Sequence, residues 1–158
     1  MEIYLVRHAI AVPRGGDALD HARPLTPKGR TRFEREVRGL FALGVRFDRV
    51  YHSPWTRAAQ TAELLQPVTT GERIVTERLA RPPTSNLLEE LSGDSIALVG
   101  HEPWMSALCA MLLVGDVDRA DAFQIKKGGI AHLEGEPGPA ACALIGFYPP
   151  RPLRRMAE

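Results

Sequence analysis

Three places in the chain combine residue types that suit phosphate chemistry. At Arg7-His8 a fixed cation sits beside a titratable imidazole; Ser53 is followed by Arg57; and a second histidine stands at His101. Arginine carries permanent charge and a fork of donors that matches phosphate oxygens. A neutral imidazole offers a nitrogen lone pair that can attack or accept a proton. Neighbouring arginines disfavour the imidazolium and favour the neutral ring. Taken singly, each residue is an ordinary strand-end or helix-surface side chain; the chemistry requires that they converge.

The elements around them provide for that. Each follows an apolar run: Ile3 to Val6, Val50-Tyr51, and Ile96 to Val99. Short continuous apolar runs read as strands buried on both faces of a parallel sheet. In open α/β sheets ligands sit just beyond the carboxyl ends of the strands, so the three places share one rim. Thr26-Pro27 starts a helix with Phe33, Val37, Leu40 and Phe41 on its apolar face, and Gly44 ends it. Ser53-Pro54 repeats that start for a helix through about Leu65, whose free N–H groups would face the same rim. Pro67 to Gly71 reads as a turn, Arg73 to Thr76 as a strand, Ser85 to Leu91 as a short helix, and Pro103 opens an apolar helix to Leu113. Ile130 to Glu134 and Cys142 to Tyr148 form an antiparallel edge hairpin. The expected fold is a three-layer α/β/α sandwich with a mostly parallel sheet. One domain over residues 1–150 precedes a basic C-terminal tail, 151–158.

Composition narrows the function classes. With 158 residues, 44% hydrophobic and 25% charged, the chain is sized for one globular domain. A net charge of +1 gives no global field for nucleic acid or a membrane surface. No apolar run reaches the ~20 residues of a membrane span, and the N-terminus lacks a leader pattern. Cys109 and Cys142 lie in apolar surroundings and read as buried thiols of a reducing compartment. A cytoplasmic monomer is expected.

The motifs Leu5-Val6-Arg7-His8-Ala9, Ser53-Pro54-Trp55-Thr56-Arg57-Ala58-Ala59-Gln60-Thr61 and Val99-Gly100-His101 together resemble the histidine phosphatase (phosphoglycerate mutase-like) superfamily. The short length and the run Asp20-His21-Ala22-Arg23-Pro24-Leu25-Thr26 resemble its SixA branch, the phosphohistidine phosphatases. The resemblance implies a phosphoglycerate mutase-like fold and a covalent phosphohistidine intermediate. His8 would be the nucleophile, with Arg7, Arg57 and His101 holding the phosphoryl group. Asp20 is the candidate general acid, Arg23 an accessory phosphate contact, and Ser53 a substrate-binding residue. Two departures stand out. Ala9 occupies a position where the family usually has Gly; a left-handed backbone there would cost about 1–2 kcal/mol. Many relatives carry an acidic proton donor after the third strand, where this chain has Glu77, which the sequence does not place in the site.

No cofactor is expected. A metal held by His8, His52, His101 and Asp20 has acceptable ligand types, but Arg7 and Arg57 would oppose a cation. The favoured substrate is phosphohistidine on a protein, such as a phosphotransfer domain, because residues 77–94 offer little chain for a lid. The alternatives are a small-molecule phosphomonoesterase using the same site and a non-catalytic phosphate-binding regulatory module. Of the remaining residues, His52 reads as packing and His21 and His132 as surface. Glu102 reads as favouring a helix N-terminus. Lys126, Lys127, Arg151, Arg154 and Arg155 read as solvated charges, with docking of an acidic partner by the tail as the sharper option.

Overall fold

The computed structural model describes residues 1–157. In chain order the elements are β1 (Glu2–Arg7), α1 (Pro27–Ala42), β2 (Phe47–His52), α2 (Thr56–Leu64), β3 (Thr69–Val75) and α3 (Ser85–Glu90). They continue with β4 (Ser95–Gly100), α4 (Trp104–Val114), β5 (Ile130–Gly135), β6 (Cys142–Tyr148) and α5 (Pro150–Arg155). The strands form one six-stranded sheet ordered β3-β2-β4-β1-β5-β6. β3, β2, β4 and β1 run parallel, while β5 is antiparallel to β1 and β6 to β5. This is the expected mostly parallel sheet with an antiparallel edge pair.

The side-chain alternation of β1 explains the layers. Tyr4 and Val6 join a core with Phe33, Val37 and Leu40 of α1, Ala58 and Ala62 of α2, and Leu153 of α5. Ile3 and Leu5 face the other way, onto Leu87 and Leu88 of α3 and Met105, Leu108 and Leu112 of α4. Both faces of the sheet are therefore covered, which is why the strands read as unbroken apolar runs.

Helix α1 starts as expected: the Thr26 Oγ1 accepts from the Gly29 N–H at 2.9 Å, and Pro27 holds the first position. Phe41, expected on its apolar face, instead points outward and is covered by the Arg46 guanidinium 3.9 Å above its ring. Helix α2 starts at Thr56 rather than at Ser53-Pro54, because Ser53 still belongs to the sheet: its N–H bonds to Val99 O at 3.1 Å. Strand β3 begins at Thr69, inside the stretch expected as a turn. It is an edge strand with a largely exposed, polar first half, so no apolar pattern announces it.

The stretch expected as a basic tail forms α5 and packs on α1. Leu153 is completely buried, and a Cβ at Gly39 would come within 2.2 Å of Leu153 O, so only glycine lets the two helices approach this closely. The Arg154 Nη1 donates to the buried Glu36 Oε1 at 3.1 Å, so Arg154 is not a solvated charge. His132, expected at the surface, is buried and stacked on Tyr4 with ring centroids 4.1 Å apart. Cys109 is buried as expected, whereas Cys142 is only half-buried. Among the described residues no helix is long and apolar enough to cross a membrane.

Candidate active site

Strand register builds the site. Arg7 at the end of β1 lies opposite Gly100 at the end of β4, and the His8 N–H continues the ladder to Gly100 O at 3.0 Å. His52 lies opposite Val99, which places Ser53 beside the same strand ends. The chain then leaves the sheet at His8, Ser53 and His101 together. All three are buried, as is Arg57 from the first turn of α2.

The His8 ring is fixed through its neighbour's backbone. Nδ1 lies 2.7 Å from Ala9 O. A carbonyl only accepts, so Nδ1 carries the proton and Nε2 keeps the lone pair. The Arg57 Nε–H donates to that Nε2 over a long 3.3 Å. Ala9 has no positive φ; among the described residues Ala140 is the only non-glycine that does. Alanine therefore carries no left-handed penalty, and the Ala9 N–H is held by Thr61 Oγ1 at 3.0 Å.

Burial pushes the His8 pKa down to about 3, and His101, Arg57 and Arg7 push the same way against the Ala9 carbonyl. Burial also lowers His101 to about 3, with Arg57, Arg23 and Arg7 adding to it and Asp20 opposing. Both imidazoles are thus neutral across the physiological range. Burial, with Arg23 nearby, lowers Arg57 to about 10, which leaves it charged at neutral pH. The His8 and His101 ring centroids are 5.3 Å apart. His101 Nε2 pairs with Ser53 Oγ at 2.8 Å, while its Nδ1 is buried without a partner. Arg7 Nη1 donates to Ile125 O at 2.9 Å, and its Nε is likewise buried and unpartnered. Buried polar nitrogens without partners are costly, and both residues line the same cavity.

That cavity is about 420 Å³ and is lined by Arg7, His8, Arg23, Arg57, His101 and Glu102, with Arg14 and Lys127 at its edge. Comparison with known proteins assigns the family. A family model of the histidine phosphatase superfamily (branch 1) matches residues 3–81. The chain belongs to that superfamily. An uncharacterised protein of Picosynechococcus sp. is 36% identical over 143 residues, covering 84% of each chain. The structure of the protein histidine phosphatase SixA complexed with tungstate matches with a TM-score of 0.78 at 23% identity, over 97% of this chain and 99% of that one. The α-ribazole phosphatase of Shigella flexneri matches with a TM-score of 0.72 at 18% identity, over 95% and 97%.

In this superfamily member the remaining expected residues fall into two groups. Arg23 lines the cavity, its Nε bonded to Asp20 Oδ1 at 2.9 Å and its Nη1 to Val12 O at 2.6 Å. Asp20 sits in a 3-10 turn above the site. Its carboxylate pairs with Arg23, with Arg14 at 3.1 Å and with Arg57 at 3.7 Å. Burial would raise its pKa, but the hydrogen bond from Arg23 and the charges of Arg57 and Arg14 outweigh this and hold it below the usual carboxylate value. Asp20 is therefore an ion-paired carboxylate in this arrangement. Ser53 lies behind His101, fully buried and outside the cavity lining; its Oγ also accepts from the Trp55 N–H at 3.1 Å. Glu77 is exposed in another 3-10 turn, away from the cavity lining.

His52 bonds through Nδ1 to Ser53 O and faces a different cavity, with Arg73 and Val75. Among the described residues no three His, Cys, Asp or Glu side chains gather as a metal-ligand set. Thr61 was not anticipated: fully buried, it bridges the Ala9 N–H and Arg57 O, the latter at 2.7 Å. Its position four residues after Arg57, polar on a helix face that must be buried, was the available signal. Glu102 does favour the α4 start, accepting from the Ser106 N–H at 3.1 Å and the Ser106 hydroxyl at 2.5 Å.

Proposed function

We propose that this chain is a phosphohistidine phosphatase acting on a phosphorylated protein through a covalent phospho-His8 intermediate. One observation carries the reading. A neutral histidine, its Nδ1 tied to a carbonyl and its Nε2 lone pair met by the Arg57 Nε–H, lines one cavity with Arg7, Arg57 and His101. In the first step His8 Nε2 attacks phosphorus and the substrate P–N bond breaks, the leaving imidazole nitrogen taking a proton from the solvent-open rim. The charges of Arg7 and Arg57 neutralise the transferring group, the neutral His101 lies against it as a hydrogen-bonding wall, and Arg23 extends the cationic contact. In the second step water attacks phospho-His8, the P–Nε2 bond breaks, and phosphate and a proton leave. Asp20 holds Arg57 and Arg23 in place, and Ser53 orients His101. Neither the substrate nor the site requires a cofactor. A phosphoramidate leaving group suits a site whose candidate acid, Asp20, is ion-paired, because its nitrogen protonates more readily than an ester oxygen.

The test is rapid-quench labelling. The protein is mixed with a radiolabelled phosphohistidine-bearing phosphotransfer domain and quenched in base, with His8→Ala as control. Transient label on His8 with release of phosphate is expected. Turnover of small phosphate esters alone would make it a phosphomonoesterase with the same site. Binding without label or turnover would make it a phosphate-binding regulatory module.

A further inference from the structure

We infer that the groove beside the His8 cavity receives acidic side chains of the phosphoprotein, so that phosphohistidine flanked by Asp and Glu is preferred. This rests on the phosphohistidine-protein reading above. A second cavity of about 430 Å³ shares Arg7, Ile10 and Lys127 with the His8 cavity. A phosphoryl group seated at His8 therefore places its neighbours along this groove. The groove adds Arg32 from α1, Lys126 from the turn before β5, and Arg151 and Arg154 from α5. In a chain of net charge +1 this is a strong local concentration of cations. The one acid lining it, Glu36, is buried and engaged by Arg154. Burial pushes its pKa up to about 8, so at neutral pH it cancels little of the charge.

The groove is built into the site rather than scattered over the surface. The Gly128 N–H is shared between Arg7 O and His8 O, each at 3.1 Å, which fastens the lysine-bearing turn to the catalytic strand end. Gly128 has φ +77°, and a Cβ there would come within 2.8 Å of Glu36 Oε2, so the turn needs glycine to lie over the buried carboxyl. The cations come from three separate elements, and Ile10, Pro149 and Pro150 supply apolar floor between them. Dispersed charges along an apolar floor suit several carboxylates on a peptide better than one compact polyanion, and Arg32, Lys126 and Arg151 are exposed to meet them.

Two phosphohistidine peptides test this, one with glutamates and one with glutamines flanking the phosphohistidine, alongside free phosphohistidine. The natural enzyme should show at least tenfold higher kcat/KM for the glutamate peptide, shrinking as salt is added. Lys126→Glu/Arg151→Glu, shown by its Tm to be folded, should lose that preference and keep its rate on free phosphohistidine. Equal rates on both peptides with the natural enzyme, or a preference that survives in the variant, would overturn the inference. If no phosphohistidine compound turns over, the substrate reading fails. The matching phosphoserine peptide pair then decides the groove by the same two criteria.

Discussion

The two neutral histidines make stability depend on pH in a way that isolates His8. In the folded chain His8 and His101 titrate near 3. In the unfolded chain they titrate near the ordinary 6.5. Between these limits the unfolded state binds a proton that the folded state refuses, so stability falls as pH falls. Each such group contributes about 1.4 kcal/mol per pH unit. Glu36 has the opposite sign. Raised from 4.5 to about 8, it holds a proton in the folded state only, so its contribution is lost as pH rises through that window. From pH 6.5 down to 4.5 two histidines therefore oppose one glutamate, and stability should fall by about 1.4 kcal/mol per pH unit. From 6.5 up to 8 Glu36 acts alone and stability falls by a similar amount, which puts the maximum near pH 6.5. His132, lowered mainly by burial, steepens the acid side further. His8→Asn keeps an N–H for Ala9 O but cannot titrate. It should flatten the acid limb by about 1.4 kcal/mol per pH unit, equivalent to roughly 0.5–1 M in urea midpoint per pH unit. Glu36→Gln should remove the alkaline limb and steepen the acid one. Urea unfolding of the three proteins from pH 4.5 to 8 reads all of this. Parallel acid limbs for the natural chain and His8→Asn would refute a buried His8 held neutral.

Ser53→Ala leaves the buried His101 Nε2 without its 2.8 Å partner. It should cost about 1–3 kcal/mol in thermal or urea unfolding, and kcat/KM should drop roughly tenfold if Ser53 orients His101 as argued. Asp20→Asn releases Arg14, Arg23 and Arg57 from their shared carboxylate. On a series of aryl phosphates its loss of kcat should be the same for good and poor leaving groups, whereas a loss that grows with leaving-group pKa would make Asp20 the acid. Leu153→Ala empties a fully buried site between α5 and α1. It should cost about 2–5 kcal/mol in urea unfolding and leave kcat on free phosphohistidine unchanged.

Much of this arrangement is legible in the sequence because burial and chemistry use the same punctuation. Three buried strands announce themselves as apolar runs, and all three end on the residues that meet at the rim. What the sequence hides has identifiable causes. β3 lies on an edge and has no apolar signature, so its first half reads as a turn. The Ser-Pro signature before α2 reads as a cap, yet the sheet claims Ser53 first and turns its hydroxyl toward His101. Helix α5 is masked by Pro150 and Pro152, tolerated because they occupy its first turn, where no intrahelical N–H bond is lost. Arg14 and Arg23 share the loop of Asp20 while Arg57 stands on α2; only the fold shows that one carboxylate pairs with all three. The Ala9 carbonyl that fixes the His8 tautomer belongs to the backbone, so no side-chain pattern could reveal it.

Charge in and around the His8 cavity bears directly on what it accepts. Arg7, Arg14, Arg23, Arg57 and Lys127 line it, against Glu102 on its wall and the Asp20 carboxylate above it. A phosphoryl dianion brings two negative charges, which leaves the cavity with a positive remainder even when occupied. The adjoining groove adds Arg32, Lys126 and Arg151 to that remainder. A site that binds only the dianion therefore leaves its field partly unspent, and a substrate with further anions near the phosphoryl group gains both encounter rate and affinity. Because exposed cations are screened within about 8–10 Å at physiological salt, that gain is confined to groups close to the phosphoryl group. It follows that salt should raise KM for a protein substrate far more than for free phosphohistidine, while kcat stays nearly constant. Equal salt dependence of the two KM values would show that the protein substrate is recognised by the phosphoryl group alone.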